Sequence, residues 1–478
     1  MDTIFALSGA QQARLIRDKA ISPVELARET FARIHRLNPV LNAFCALDEE
    51  RAMAAAQVAE AAVMRDDALG PLHGVPFSVK DLILTQGLRT TFGSRVYEDY
   101  VPDEDDVSVA RLKQAGAILL GKTIPTEFGY ACSNPPIHGD VRNPWDTSRT
   151  PSGSSGGSAV AVATGMGALT VGSDGGGSIR VPASFTGLFG YKPSFGRVPL
   201  YPGCRDPQMP GASSWETLEC IGPLTRTVED GALMMEVMSG PSAYDRHSLP
   251  GNPAYVRLSR EADLRGLTVA WSTDMGFAVV DPEVRRIVAD GAKLFERLGC
   301  DVKEAHPGLG FRNDTFAALI ARDTDLAGMR RLAERHGAAM DPLLLEFVNR
   351  DWTAQDLTDA AMARQEINVV MRRFMSRYDL FVVPTIGIKP YALDAGGVLT
   401  VDGQRLERPR WSTFTNLANM TGLPAASVPC GWTSEGLPVG LQIVGRPLDD
   451  ELVFRACFAL ERENPWEPRL RQLIERYG

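Results

Sequence analysis

Three short segments of this chain carry side chains arranged for chemistry. The first, Gly74-Val75-Pro76-Phe77-Ser78-Val79-Lys80-Asp81, is an apolar run that ends on a lysine. Such a lysine is an ordinary surface end to a strand. Held instead in a dry pocket, its charged form is disfavoured, its pKa falls, and it can act as a base near neutral pH. The second segment, Gly153-Ser154-Ser155-Gly156-Gly157-Ser158, fits the Gly-x-Ser-x-Gly nucleophile elbow with Ser155 at its centre. An elbow needs an apolar strand immediately before it, and the polar stretch from Asp146 to Pro151 is a poor one. It also needs a histidine base, and His247, His306 and His336 all lie in undistinguished contexts. The third segment, Gly172-Ser173-Asp174-Gly175-Gly176-Gly177-Ser178-Ile179-Arg180, runs an apolar strand into three consecutive glycines and a serine. Glycine tolerates the backbone angles that aim several N–H groups at one point. The result is an anion site, either an oxyanion hole or a phosphate cradle, or else a purely structural turn. A phosphate loop asks for a lysine after its last glycine, and none follows here.

Two serine-bearing loops and a strand-end lysine, without a usable histidine, point to a serine hydrolase whose base is lysine. No serine has a lysine three residues on, as in penicillin-recognising enzymes, so the lysine must come from elsewhere in the sequence.

Composition narrows the alternatives. The chain has 478 residues, with 50 Lys and Arg against 59 Asp and Glu and a formal charge of −9. No basic footprint exists for nucleic acid. The 7 cysteines are scattered, with no Cys-x-x-Cys, and the 6 histidines never approach a ligand spacing. A disulfide framework and a metal site are therefore not expected. The N-terminus lacks a basic stretch followed by an apolar one, and the uncharged stretch from Thr150 to Ser173 opens on Gly and Ser. It reads as a buried loop and helix rather than a membrane span. A cytoplasmic protein acting on a small molecule, as monomer or homodimer, is the expectation.

The elements that must position these residues follow from periodicity. Ser22-Pro23-Val24-Glu25 reads as a capping box with Pro at the first helical position. The helix it opens should end at Asn38-Pro39, and a second should run from Asp48 to Met64. From residue 70 short apolar runs predict strands at Val75–Val79, Ala117–Leu120 and Ala168–Val171, with a helix from Ser108 to Ala115. Further strands are expected near Leu267–Trp271, Leu380–Val383, Ala425–Val428 and Gly440–Val444. Helices are expected near Pro282–Leu298, Thr315–His336, Leu357–Met375 and Asp450–Glu463. The stretch from about 200 to 260 is rich in Pro and Gly and reads as long connections. The alternation implies an α/β sheet with covered faces.

Taken with their flanks, the three segments resemble the amidase signature family. That family's hallmark is a lysine after a Gly-Val-Pro strand, then Gly-Ser-Ser-Gly-Gly-Ser, then Gly-x-Asp-x-Gly-Gly-Ser-Ile-Arg-x-Pro-Ala; Lys80, Gly153–Ser158 and Gly172–Ala183 match in turn. Gly121-Lys122-Thr123, Asn143-Pro144-Trp145, Gly187–Pro193 and Gly436–Gln442 extend the likeness to roughly residues 5–470. The resemblance implies a single large α/β domain with a mixed central sheet covered by helices on both faces, and an amide hydrolase that needs no cofactor. It makes Ser178 the nucleophile, Ser154 a proton relay in a cis peptide bond, and Lys80 the base. It also makes the N–H groups of Gly175, Gly176, Gly177 and Ser178 the oxyanion hole. About three domains would suit the length, but the motif spacing implies one unit over 1–478. Its parts would be a helical 1–66, a signature core 67–200, and pocket loops with the C-terminal part at 201–478.

The departures are small: Ser152 for a usual Gly, Ser173 for a Thr, and Gly175 for a larger residue, which would loosen the turn or open space beside the nucleophile. Tyr130, Cys132 and the 200–220 segment are the expected pocket wall. The ending Pro465-Trp466 with Arg469 resembles bacterial aryl-acylamidases, nylon-oligomer hydrolases and urethane hydrolases. The competing reading is the glutamine-hydrolysing component of a tRNA-dependent amidotransferase, which holds its substrate's charged ends with an Arg and an Asp. Where that Asp would stand this chain has Ser412, and the neighbourhood of Trp411, Phe414 and Met420 is apolar. Aryl or alkyl amides are therefore the expected substrates, with carbamates open to the same machinery.

Overall fold

The computed structural model describes residues 3–130, 137–202, 215–251, 253–259, 263–395, 397–407 and 413–478. Its framework is one sheet of 11 strands in the order β1-β3-β2-β4-β6-β5-β12-β13-β9-β7-β8. In chain order the strands are β1 (Phe44–Leu47), β2 (Pro76–Lys80), β3 (Ile118–Thr123), β4 (Leu169–Asp174), β5 (Phe189–Lys192) and β6 (Cys220–Thr225). They continue as β7 (Thr268–Trp271), β8 (Asp301–Glu304), β9 (Leu380–Pro384), β12 (Ala425–Trp432) and β13 (Pro438–Gly445). A separate hairpin pairs β10 (Val398–Val401) with β11 (Gln404–Glu407).

The sheet is mixed. β2 runs parallel to both β3 and β4, and β7 runs parallel to β8 and β9, while the central strands pair antiparallel. β5 joins β12 through Ala425 opposite Lys192, so strands from both ends of the chain share one sheet. β2, β3, β4, β6, β9 and β13 are buried along their whole length. Strands covered on both faces read as continuous apolar runs rather than alternating ones.

The parallel β2–β4 pair positions the site. Parallel strands end at the same edge of a sheet, where open α/β folds place their ligands. Val79 pairs with Val171, which brings Lys80 level with the final residues of β4.

Most expected elements are present, the helix Asp450–Glu463 with the bounds read from the sequence. Three expectations need correction. Ser22 does cap its helix, accepting from the N–H groups of Val24 and Glu25, but the helix runs Pro23–Leu41 and carries Pro39 in its last turn. The stop comes at Asn42, in the left-handed region at φ 53°, while Asn38 Oδ1 accepts from Ala43 and Phe44. The helix expected over Thr315–His336 is two helices, Asn313–Asp323 and Leu326–His336. Thr324 is extended there, and the Asp325 side chain caps the second helix through the Gly328 N–H. The supposed connections of 200–260 contain β6 and the helix Val228–Met238. In addition, β1, β5, β8, β10 and β11 went unread. Among the described residues no helix is long and apolar enough to cross a membrane.

Candidate active site

Lys80, the last residue of β2, is only 1 % exposed. Its Nζ lies 2.6 Å from Ser154 Oγ, 2.9 Å from Ser173 Oγ and 3.2 Å from the Ser173 carbonyl oxygen. Burial lowers its pKa from 10.5 to about 8, against the opposing pull of the Glu219 and Asp174 carboxylates. A substantial neutral fraction is therefore present near neutral pH, which makes Lys80 a competent proton acceptor.

Ser154 stands at the start of a turn that opens the buried helix Gly156–Ala163, and the Gly153–Ser154 peptide bond is cis. The helix start is wedged: a Cβ at Gly157 would meet the Ala43 carbonyl oxygen at 2.4 Å. Its N–H donates to the Ile124 carbonyl. The Ser155 N–H donates to the Ser178 carbonyl at 3.2 Å, tying this loop to the glycine turn after β4.

That turn is built around a buried ion pair. Asp174 and Arg180 are both fully buried and lie 2.8 Å apart. Asp174 also accepts from the Gly177, Ile179 and Arg180 backbone N–H groups and from Asn419 Nδ2. Burial alone would raise its carboxyl, but the Arg180 guanidinium and these donors hold it well below the usual carboxylate range. Arg180 spends its other donors on the Thr415 carbonyl, Gln442 Oε1 and Asn419 Oδ1. Thr415 Oγ1 in turn donates to the Gly176 carbonyl at 2.7 Å. One carboxylate and one guanidinium thus pin both ends of the turn.

The glycines are required by what surrounds them. A Cβ at Gly175 would meet the Trp215 ring at 2.4 Å, one at Gly176 the Phe316 ring at 2.6 Å, and one at Gly177 Thr415 Oγ1 at 2.3 Å. Gly177 also sits at φ +123°, where other residues are strained. The expected open space beside Gly175 is therefore filled by the Trp215 indole. Tyr130 meets Trp215 edge-on at 6.3 Å and packs on Phe347 at 4.9 Å, with Trp352 behind it at 5.3 Å. An aromatic wall lines the glycine turn.

The fold brings Lys80, Ser154, Ser173, Asp174 and Ser178 to one place. Ser178 is half-buried, and its Oγ makes no hydrogen bond among the described residues. Nor do the N–H groups of Gly175, Gly176 and Ser178, whereas that of Gly177 is committed to Asp174 Oδ1 at 2.7 Å. Three of the four expected oxyanion donors are thus uncommitted. Ser155 is fully buried, with its hydroxyl donated to the Ser173 carbonyl at 3.3 Å, and it hydrogen-bonds to no histidine. That placement does not suit the elbow reading.

Tyr130 lies on the aromatic wall, while Cys132, Trp411 and Ser412 fall outside the described residues. Of the 200–220 segment, residues 203–214 fall outside the described residues. Trp215 stands over Gly175, but Leu200, Tyr201 and Glu216 line a cleft of about 430 Å³ that neither Lys80 nor the two serines border. Asn419, Thr415 and Glu219 carry no sequence signal for the places they take here. A signal was available for Asp174 and Arg180, since two opposite charges inside an otherwise uncharged Gly-rich motif must be paired to be buried.

The amidase family model matches residues 25–454. An acylamidase of Rhodococcus erythropolis is 35% identical over 471 residues, covering 96% of this chain and 96% of that one. The glutamyl-tRNA(Gln) amidotransferase of Myxococcus xanthus (strain DK1622) has an A-type subunit that is 35% identical over 488 residues, covering 95% and 96%. Among solved structures, a bacterial aryl acylamidase of the amidase signature family superposes with a TM-score of 0.90 at 28% identity, over 98% of each chain.

Proposed function

The chain belongs to the amidase family, and on that premise we propose that its amide hydrolysis runs through Ser178, Ser154 and Lys80. The protein is an amide-hydrolysing enzyme. The observation that carries the assignment of roles is the buried lysine, 2.6 Å from Ser154 Oγ, on the loop hydrogen-bonded to Ser178.

Neutral Lys80 takes the Ser154 hydroxyl proton as Ser154 takes that of Ser178. Ser178 Oγ then attacks the amide carbonyl carbon, and the carbonyl oxygen gathers negative charge. The uncommitted N–H groups of Gly175, Gly176 and Ser178 donate to that charge in this reading, while Gly177 holds the turn in shape through Asp174. Each such donor is worth about 10²–10³ in rate. Protonated Lys80 returns the proton through Ser154 to the leaving nitrogen, the C–N bond breaks, and an acyl ester remains on Ser178. Water, activated along the same relay, hydrolyses that ester and frees the acid.

The aromatic wall of Trp215, Tyr130, Phe316 and Phe347 supports aryl or alkyl amides as the substrate class. Burying one such ring against another contributes about 0.5–1.5 kcal/mol beyond the area removed from water. Carbamates present the same carbonyl to the same donors. The scattered cysteines, of which those described are free thiols, support a cytoplasmic address. The test is turnover of a chromogenic anilide by Ser178→Ala and Lys80→Ala. Both should lose activity by at least about 10³-fold, with far-ultraviolet circular dichroism unchanged. Retained turnover in either overturns the assignment.

A further inference from the structure

Behind the catalytic lysine, on separate segments, lie three groups that the hydrolytic mechanism does not use: the Cys45 thiol, the Asp81 carboxylate and the His138 imidazole. One donor atom from each falls within 4.8 Å of the other two. From this juxtaposition we infer that Cys45, Asp81 and His138 form a binding site for a zinc-class divalent cation.

The placement is built rather than incidental. Cys45 sits where the β1–β3 ladder shifts register between Phe44 and Ala46, the kind of bulge that re-aims a side chain. Asn42 Nδ2 donates to the His138 and Asp140 carbonyls at 2.8 and 3.2 Å, holding the His138 loop against the entry to β1. Asp81 follows Lys80 directly and is fully buried.

The Asp81 carboxylate supplies the second, independent observation. Its Oδ2 accepts from the Thr91 N–H at 2.9 Å and the Thr91 hydroxyl at 2.5 Å, but Oδ1 is buried without a hydrogen-bond partner. Lys122 Nζ is 3.9 Å away and already spends its donors on the Ile83 carbonyl, Thr85 Oγ1 and Thr90 Oγ1. The Cys45 thiol beside it is a weak donor at best. A buried carboxylate oxygen, a thiol and an imidazole within 4.8 Å of one another are a ligand set.

Chemistry selects the cation. Zinc takes S, N and O donors at about 2.0–2.3 Å, which sets tetrahedral donors about 3.3–3.8 Å apart. Closing from 4.8 Å needs about an ångström of side-chain movement, and Cys45 and His138 are only half-buried. Thiolate and carboxylate together neutralise a dication, with water in the fourth position. Lys122 and Arg89 flank the cluster, Arg89 donating to the Cys45 carbonyl at 2.9 Å. Their charge disfavours hard cations such as Mg²⁺ or Ca²⁺ that lack a thiolate bond to offset it. Such an ion would brace β1, the end of β2 and the His138 loop.

The full chain, stripped with a chelator, is incubated with Zn²⁺ alone, gel-filtered and analysed for metal. The inference expects about one equivalent per chain, and a thiolate charge-transfer band with Co²⁺. It expects at least a tenfold loss of affinity in both Cys45→Ser and His138→Gln, with hydrolytic activity retained. No retained metal in the wild type, no thiolate band, or binding unchanged in either variant overturns it.

Discussion

At the scale of single residues the account rests on the environment of Lys80. Only its neutral form accepts a proton, and burial brings its pKa to about 8. kcat/KM should therefore rise about tenfold per pH unit below 8 and level off above it. A pH–rate profile of anilide hydrolysis that is flat from about pH 6 to 9 would contradict a lysine base. Gly177 offers a second check. At φ +123° and with Thr415 Oγ1 2.3 Å from any added Cβ, Gly177→Ala should lose about 1–3 kcal/mol of stability in a urea titration and most of its activity. Lys80 and the two serine-bearing loops were legible as unusual local strings, while the roles proposed for Ser154 and Ser178 come from the family those strings resemble. The residues that hold them were not, since Asn419 and Thr415 look like any polar residues of a short helix and its approach.

At the scale of elements, the turn after β4 is only as ordered as the Asp174–Arg180 pair beneath it. Asp174→Asn leaves a buried guanidinium without its counter-charge, which should destabilise the chain by about 3–5 kcal/mol, read from the urea midpoint. It should lower kcat more than it raises KM, because the donors misplaced act on developing charge. Elements were legible where burial makes a strand uniformly apolar, as in β2, β9 and β13. They were not where special residues interrupt the pattern. Gly222 and Pro223 lie inside β6 and disguise it, and the polar ends of β8 leave it exposed with little periodicity. Pro39 misled in the opposite direction, since a proline in a final turn removes little that Asn42 and Asn38 do not supply.

At the scale of the whole molecule, one sheet ends two parallel strands at the same edge, and an aromatic wall packs on the glycine turn that follows. The wall draws Tyr130, Trp215, Phe316 and Phe347 from distant parts of the chain, so no local spacing announces it. The metal-ligand cluster is hidden for the same reason: a search for short Cys and His spacings cannot see ligands brought together from residues 45, 81 and 138. The wall predicts that an aryl anilide outruns glutamine by at least about 100-fold in kcat/KM, and that Trp215→Ala erodes that preference. Faster glutamine turnover would favour the amidotransferase reading. The most direct test of the central claim is mass spectrometry of the acyl-enzyme, quenched during anilide turnover and digested to peptides. The acyl mass should fall on Ser178 and vanish in Ser178→Ala. An acyl group on Ser155, or one that persists in that variant, would contradict the account.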